Sequence, residues 1–457
     1  MARARTSLDI TGGTGGVGAA LEDLAAAAQR IAETAADVSL VATVVLRSAL
    51  SADLVSAALA CPVESARLAA GLADLAGPGG LGGEAVALGT LAAGLRSAVA
   101  AYAAGEEVVA RLVEAAQDAA VLVLSRQAAP LAVAVAAVHR VGVDVGAGAD
   151  RLVFEAPWLA DLAGGVEGAV AGPATPLDYE DALILLSRTL SHGGRLTEAG
   201  RQVQATAEPS RAARAPASLA DLLAHQDDLG TAASQPSRVR VVEVPQADGS
   251  SSWVVVIPGT QSWSPRAGTN PSDLTSDVVL MAQQSALLAA GVDHALLQAQ
   301  RDAGREGLAD AVMLVGHSQG GIAAAALAAD PDFRQRQRVT HVVASGAPIA
   351  RFPVPPEVSV LAIEHRQDAV PRLEGERNAD RRGWVTVTRD LDGEPVDRSA
   401  GAAHASGLYR ATAALADTSG SHSLADWRRG SAAFLAGPTA GTATVRDFRV
   451  ARVGGAP

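Results

Sequence analysis

The sequence predicts an all-α helical-bundle domain followed by an α/β domain built on a mostly parallel sheet. Three observations carry that expectation. Apolar residues recur in steps of three and four through the first third of the chain. From about residue 238 the pattern changes to short Val/Ile-rich runs that alternate with helical stretches. One of those runs passes directly into VGHSQGG, residues 315–321, and then into a run of small helix-forming residues.

The elements follow in chain order. Leu21, Leu24, Ala28, Ile31, Ala35, Val38, Ala42 and Val45 form a heptad seam, so one long helix is expected there. Cys61–Leu75 reads as a shorter helix, and AGPGGLGG at 76–83 as a break. Leu95, Tyr102, Val109, Ala116 and Val123 repeat every seven residues on a second long helix. Small seam residues suit closely packed antiparallel helices. These features define a helical domain over 1–163. Residues 164–237, rich in Gly, Pro, Ser, Thr and Arg, read as a connecting region. RVRVVEV and SWVVVIPG flank an Asp-Gly turn and read as a hairpin. AVMLVG, VTHVVAS, VSVLAIE and WVTVTRD are further strands. Helices are expected at 272–305, 320–329 and 405–416, completing an α/β domain over 238–457.

Composition excludes several function classes. The formal net charge is −12, and the basic residues, all arginine, are dispersed rather than clustered, so nucleic acid is not expected as a partner. Cys61 is the only cysteine, which rules out an intrachain disulfide and a cysteine-rich metal site. It reads as a small buried residue. No cofactor or metal is expected. The start, MARARTSLDITGG, lacks the apolar stretch of a Sec signal peptide. Residues 127–138 are too short to span a bilayer, and 311–329 contain a turn, so no transmembrane segment is expected. The expected location is the cytoplasm, or outside it by a route without a Sec signal. TGGTGGVG at 11–18 holds G-x-G-x-x-G at Gly13, Gly15 and Gly18. Neither a buried strand nor a βαβ unit surrounds it, so it reads as a flexible linker and not a dinucleotide site.

The chemistry centres on Ser318. A bare G-x-S-x-G is weak in a glycine-rich chain, but here it joins an apolar strand to a helix. Gly316 and Gly320 leave room for a sharp elbow that presents the hydroxyl at the mouth of the sheet. A serine needs a base, and the base needs an orienting acid. Asp368, in HRQDAVP after the strand VSVLAIE, is the expected acid, with Glu364 on the strand as a weaker candidate. His404, after the strand WVTVTRD, is the favoured base, and His422, between two later helices, is the alternative. An oxyanion needs two backbone donors. Gln319, next to the nucleophile, supplies one. Thr260 in VVVIPGTQSW supplies the other, with Gln261 as the fallback.

PGTQSW, VGHSQGG, QDAVPRLEG and HASGLY together resemble the α/β-hydrolase superfamily, in particular bacterial proteins related to the class 3 lipases, over roughly 238–437. Pro258 stands where those lipases usually carry a basic or aromatic residue. The resemblance implies hydrolysis of a carboxylic ester, of a small molecule or an acyl lipid, through an acyl-enzyme on Ser318. The same triad also serves thioesters and peptides. The N-terminal helices are loosely similar to WXG-type helical hairpins of specialised secretion systems, without the Trp-x-Gly turn. The helical domain, a heptad-patterned third of the chain with no obvious chemistry of its own, gives an alternative: a secretion-associated or interaction protein whose helices bind a helical partner or a second copy, with the hydrolase domain secondary or inactive.

Overall fold

The computed structural model describes residues 8–104, 150–151, 154–155, 179–191, 193–229, 236–435 and 441–454. They fall into two compact units, one helical and one organised around a sheet. The long helices followed by a mostly parallel sheet match the expected fold class.

The helical unit begins with α1 (Val17–Ala49), α2 (Ala52–Ala60) and α3 (Pro62–Ala76), followed by α4 over 81–104. Ser51 caps α2 by accepting from the Leu54 N–H, and Pro62 opens α3, where a missing N–H costs nothing. Of the expected α1 seam, Ala28, Ala35 and Ala42 are buried, and α3 packs against that helix. Leu24 is exposed. Val109, Ala116 and Val123 lie outside the described residues. Cys61 is exposed at the junction of α2 and α3, not buried as expected, because it stands between two helices instead of on a packed face. Val17–Ala60 and Pro62–Ala104 are both long and apolar enough to cross a membrane. The expectation of no such segment came from seeking uncharged runs, and scattered residues such as Arg47 and Asp53 hid the length of the apolar stretches.

The other unit holds a ten-stranded sheet. Its strands are β1 (Leu8–Gly12), β2 (Gln202–Ala207), β3 (Arg211–Arg214), β4 (Ser237–Pro245), β5 (Ser251–Ile257), β6 (Ala311–His317), β7 (Arg338–Ser345), β8 (Ser359–His365), β9 (Trp384–Arg389) and β10 (Thr442–Val453). Their order is β1-β9-β8-β7-β6-β5-β4-β10-β2, with β3 also on β10. β5 through β9 run parallel. β5 is buried at every position because helices cover both faces, hence its unbroken apolar run. One core cluster, with Trp253, Leu314 and Ile322, lies on one face. The other, with Val315, Leu361 and Tyr409, lies on the opposite face.

Four strands were not anticipated: β1, β2, β3 and β10. β1 pairs antiparallel with β9 and forms one edge. β2 and β3 lie within the expected connecting region, and both pair with β10. β10 also pairs with β4, the first strand of the expected hairpin, which passes the sheet on to β5. The 11–18 glycines are not a loose linker. Gly12 and Gly13 have φ of 71° and 69°, and a Cβ on Gly12 would lie 2.1 Å from the Trp384 carbonyl oxygen. Glycine here lets the chain turn off β9 at close range. The helix expected at 272–305 is two: α5 (Leu274–Met281) and α6 (Leu287–Asp302), separated at Gln283, whose φ is 52°.

Candidate active site

β6 ends at His317 and α7 (Gln319–Ala329) starts two residues later. Between them Ser318 has φ 54° and ψ −127°, a strained conformation for a residue with a Cβ. The flanking glycines explain how the turn closes. A Cβ on Gly316 would sit 2.0 Å from the Gly320 carbonyl carbon, and one on Gly320 would sit 2.1 Å from the Ile257 carbonyl oxygen. The Ser318 N–H donates to the Ser345 carbonyl at 2.9 Å, tying the elbow to β7. Gln319 opens α7, so its N–H belongs to the first turn, which has no intrahelical acceptors.

β5 delivers the next piece. Gly259 lies against the elbow, so close that a Cβ on it would sit 3.3 Å from Ser318 Cβ and 3.1 Å from the His317 carbonyl oxygen. Thr260 follows, and its hydroxyl donates to Asp277 on α5, at 3.0 Å to Oδ2 and 3.3 Å to Oδ1. The Gln261 N–H is engaged by the Ser272 carbonyl at 2.8 Å. The Gln319 side-chain amide donates to the Asp273 carbonyl at 2.7 Å. Asp277 therefore reaches toward both expected oxyanion residues. Burial raises its pKa to about 7, against hydrogen bonds from Thr260 and Gln319 that lower it. α5 is itself pinned: Asp273 caps it through the Ser276 N–H, and the buried Arg452 of β10 binds Asp273 at 2.5 and 2.8 Å and also holds Glu198.

β8 delivers Asp368, which is 1% exposed. Its Oδ1 accepts from the Val370 N–H at 2.9 Å, an Asx-type turn that Pro371 helps to fix. Its Oδ2 accepts from two donors, His404 Nδ1 at 2.7 Å and the Tyr409 hydroxyl at 2.6 Å. Burial alone would raise the Asp368 pKa, but the hydrogen bonds and charge of His404, with those of Tyr409 and Val370, bring it below the usual carboxylate value. An ionised Asp368 requires a proton on His404 Nδ1, which leaves Nε2 as the acceptor.

Two further histidines hold the backbone around His404. His317 Nε2 donates to the His404 carbonyl at 2.9 Å, and the two rings are 4.6 Å apart. His365 Nδ1 donates to the neighbouring Ala403 carbonyl at 2.7 Å, while its ring stacks on Tyr409 at 3.9 Å. Burial keeps both neutral, lowering His317 to about 3 and His365 to about 4. A neutral imidazole carries one N–H, and in each ring a backbone carbonyl takes it.

The structure thus brings together Ser318, Gln319, Thr260, Asp368 and His404 at the C-terminal ends of the parallel strands. It does not bring His422 there. His422 starts α9 (His422–Gly430), after α8 (Ser406–Asp417), and α9 packs on the 13–15 turn and β9. The adjacent Ser423 donates to the Gly12 carbonyl, and Gly12 pairs with Val385 at the start of β9, the far end of the sheet. Glu364 is half-buried beside Asn378, and desolvation raises its pKa to about 7, so it is a poor carboxylate orienter for a histidine at neutral pH. Tyr409, Asp277 and the clamping role of His317 were missed from sequence. Tyr409 stood in HASGLY without an assigned task. Nothing local to TSDVV at 275–279 marks Asp277.

The PGAP1-like alpha/beta domain family matches residues 275–394. That family is of the α/β-hydrolase type, and the match and the mixed sheet together fit that superfamily. The matched segment includes Ser318 and Asp368, while Thr260 and His404 lie outside it. No curated protein and no solved structure matches the chain.

Proposed function

We propose that the protein is a serine hydrolase that cleaves a carboxylic ester, of a small molecule or an acyl lipid, through an acyl-enzyme on Ser318. The observations that carry this are the strained Ser318 at a strand-to-helix elbow, and a His404 whose Nδ1 is bound to the buried Asp368 and whose ring lies 4.6 Å from that of His317, the residue before Ser318. In this reading His404 Nε2 takes the Ser318 proton as Oγ attacks the ester carbonyl. The tetrahedral oxyanion is held by the backbone N–H groups of Thr260 and Gln319, since the N–H of Gln261 already serves Ser272. His404 then returns the proton to the departing alkoxide. Water, activated by the same imidazole, attacks the acyl-enzyme and releases the carboxylic acid, regenerating the Ser318 hydroxyl.

The test is labelling by a fluorophosphonate, which phosphonylates activated serines, together with turnover of a short p-nitrophenyl ester. Wild type and His422→Ala should label and turn over, while Ser318→Ala and His404→Ala should do neither. Turnover that survives Ser318→Ala would remove the nucleophile from the mechanism. Loss in His422→Ala with full activity in His404→Ala would reassign the base.

A further inference from the structure

The helical unit has its residue sizes inverted relative to a soluble core. Among the described residues, each of its buried apolar side chains is alanine: Ala19, Ala28, Ala35, Ala42, Ala49 and Ala92. The large apolar ones face outward. Fifteen of the nineteen large apolar residues exposed among the described residues lie between Val17 and Tyr102, and Leu59 is 92% exposed. Small residues at helix contacts with bulky apolar residues outside is the arrangement that helices adopt in lipid, where solvent gives no reason to bury leucine.

The segment 38–63 shows this most fully. It carries only two charges, Arg47 and Asp53. On α1, Leu40, Val41, Val44 and Leu46 are all exposed, and at 100° per residue they sweep an arc of about 220°. A protein partner needs an apolar stripe roughly 100° wide. Lipid surrounds a helix, and an arc this broad fits lipid better than one docking face. Two hydroxyls in the arc are turned inward on their own helix: Thr43 donates to the Ser39 carbonyl at 2.9 Å and Ser48 to the Val44 carbonyl at 3.0 Å. Such hydroxyls need no water. The exposed Arg47 lies in the arc as well, and its long apolar stem lets such a guanidinium reach back to the headgroup level. The eleven or so residues from Leu40 to Leu50 rise about 16 Å, the depth of one leaflet of hydrocarbon. A cleaved leader is not the explanation for α1, because β1 precedes it and lies in the sheet.

We infer that the helical unit seats in a lipid bilayer, with residues 38–63 entering the hydrocarbon. Between residues 17 and 104 there are eight carboxylates and four arginines, so anionic headgroups do not attract it and insertion is driven by apolar contact.

Flotation of the full-length chain with neutral phosphatidylcholine vesicles tests this, at low and high salt. Wild type should float in both. A triple variant, Leu40→Asp, Val44→Asp and Leu59→Asp, should stay at the bottom, its partition coefficient lower by more than about a hundredfold. All three side chains are exposed, so its circular dichroism and unfolding midpoint in buffer should match wild type. The inference is overturned if wild type stays at the bottom as a monomer. It is equally overturned if wild type ignores vesicles but forms an oligomer that the triple variant disperses, which would make the surface an interface between copies. A triple variant that floats like wild type also overturns it.

Discussion

Asp277 places an ionisable carboxyl next to the spot where the proposed reaction develops negative charge. Its pKa of about 7 means that it is mostly neutral at pH 6 and mostly ionised at pH 8. Thr260 Oγ1 lies 3.0 Å from it, which puts an oxyanion on the Thr260 N–H roughly 6 Å from the carboxylate. At an effective dielectric of about 20, two like charges at that distance repel by ~3 kcal/mol. The ionised form should therefore turn over about a hundredfold more slowly than the neutral form. Asn is the shape of the protonated acid and never ionises. The expectation is that wild-type kcat for a short p-nitrophenyl ester falls above pH 7, while the Asp277→Asn variant keeps its pH 6 rate to pH 9. Stability supplies a second readout. A carboxyl whose native pKa is raised contributes stability that is complete below about 4 and lost as pH rises through 7. That loss is ~4 kcal/mol, and Asp277→Asn should abolish it, so the variant should gain in unfolding midpoint on wild type above pH 7. A wild-type kcat that is level from pH 6 to 9, or an Asn variant that keeps the alkaline fall, would refute the reasoning.

Three other outcomes are expected. Tyr409→Phe removes one of the two donors on Asp368 Oδ2, so the carboxylate holds the His404 N–H more tightly; the acid limb of kcat/KM should move to higher pH, and stability should fall by ~1.5–3 kcal/mol at pH 7. An unmoved limb in the pH–rate profile would count against this role. Gly320→Ala drives a Cβ into the backbone of β5 and should cost several kcal/mol, seen as a lower unfolding midpoint and no fluorophosphonate labelling. His341, buried on β7 with its pKa lowered to about 4 by burial, stays neutral in the native state while the unfolded chain takes up a proton below 6.5; stability should fall by ~3 kcal/mol from this residue between pH 6.5 and 4, and His341→Phe should flatten that part of an acid unfolding curve.

What the sequence made legible follows from range. The elbow could be read because its demands are local: an apolar strand, glycines two residues either side of Ser318, and a small-residue helix. The choice of Asp368 and His404 rested on chain order along a regular strand–helix alternation, and the structure sets the two side chains in contact. The edges of the sheet could not be read in this way. LDITG and QVQATA are short, half-polar runs whose partners lie hundreds of residues away in the chain, Leu8 opposite Arg389 and Gln202 opposite Val453. Asp277 and Arg452 were silent for the same reason. Each acts on a residue brought near only by the folded sheet: Asp277 on Thr260, and Arg452 on Asp273 and Glu198.

β1 has a consequence for the order of events during synthesis. It is made before the other described strands, yet its partner, β9, ends at Arg389. At about 5–20 residues per second a ribosome needs roughly 20–80 s to bridge that interval. Through that time the Leu8–Gly12 strand has no mate, while the helical unit that follows it in the chain has already emerged. Closing β1 onto β9 is therefore a late step, and it ties the first turn of the chain to the last parallel strand. Fragments cut for expression at residue 164 or 238 would lack that strand and leave β9 with a bare edge, open to pairing with other copies. Joining Gly16 directly to a residue near 150 keeps β1 and deletes only what lies between, which makes it the better way to ask what the sheet-bearing unit does alone.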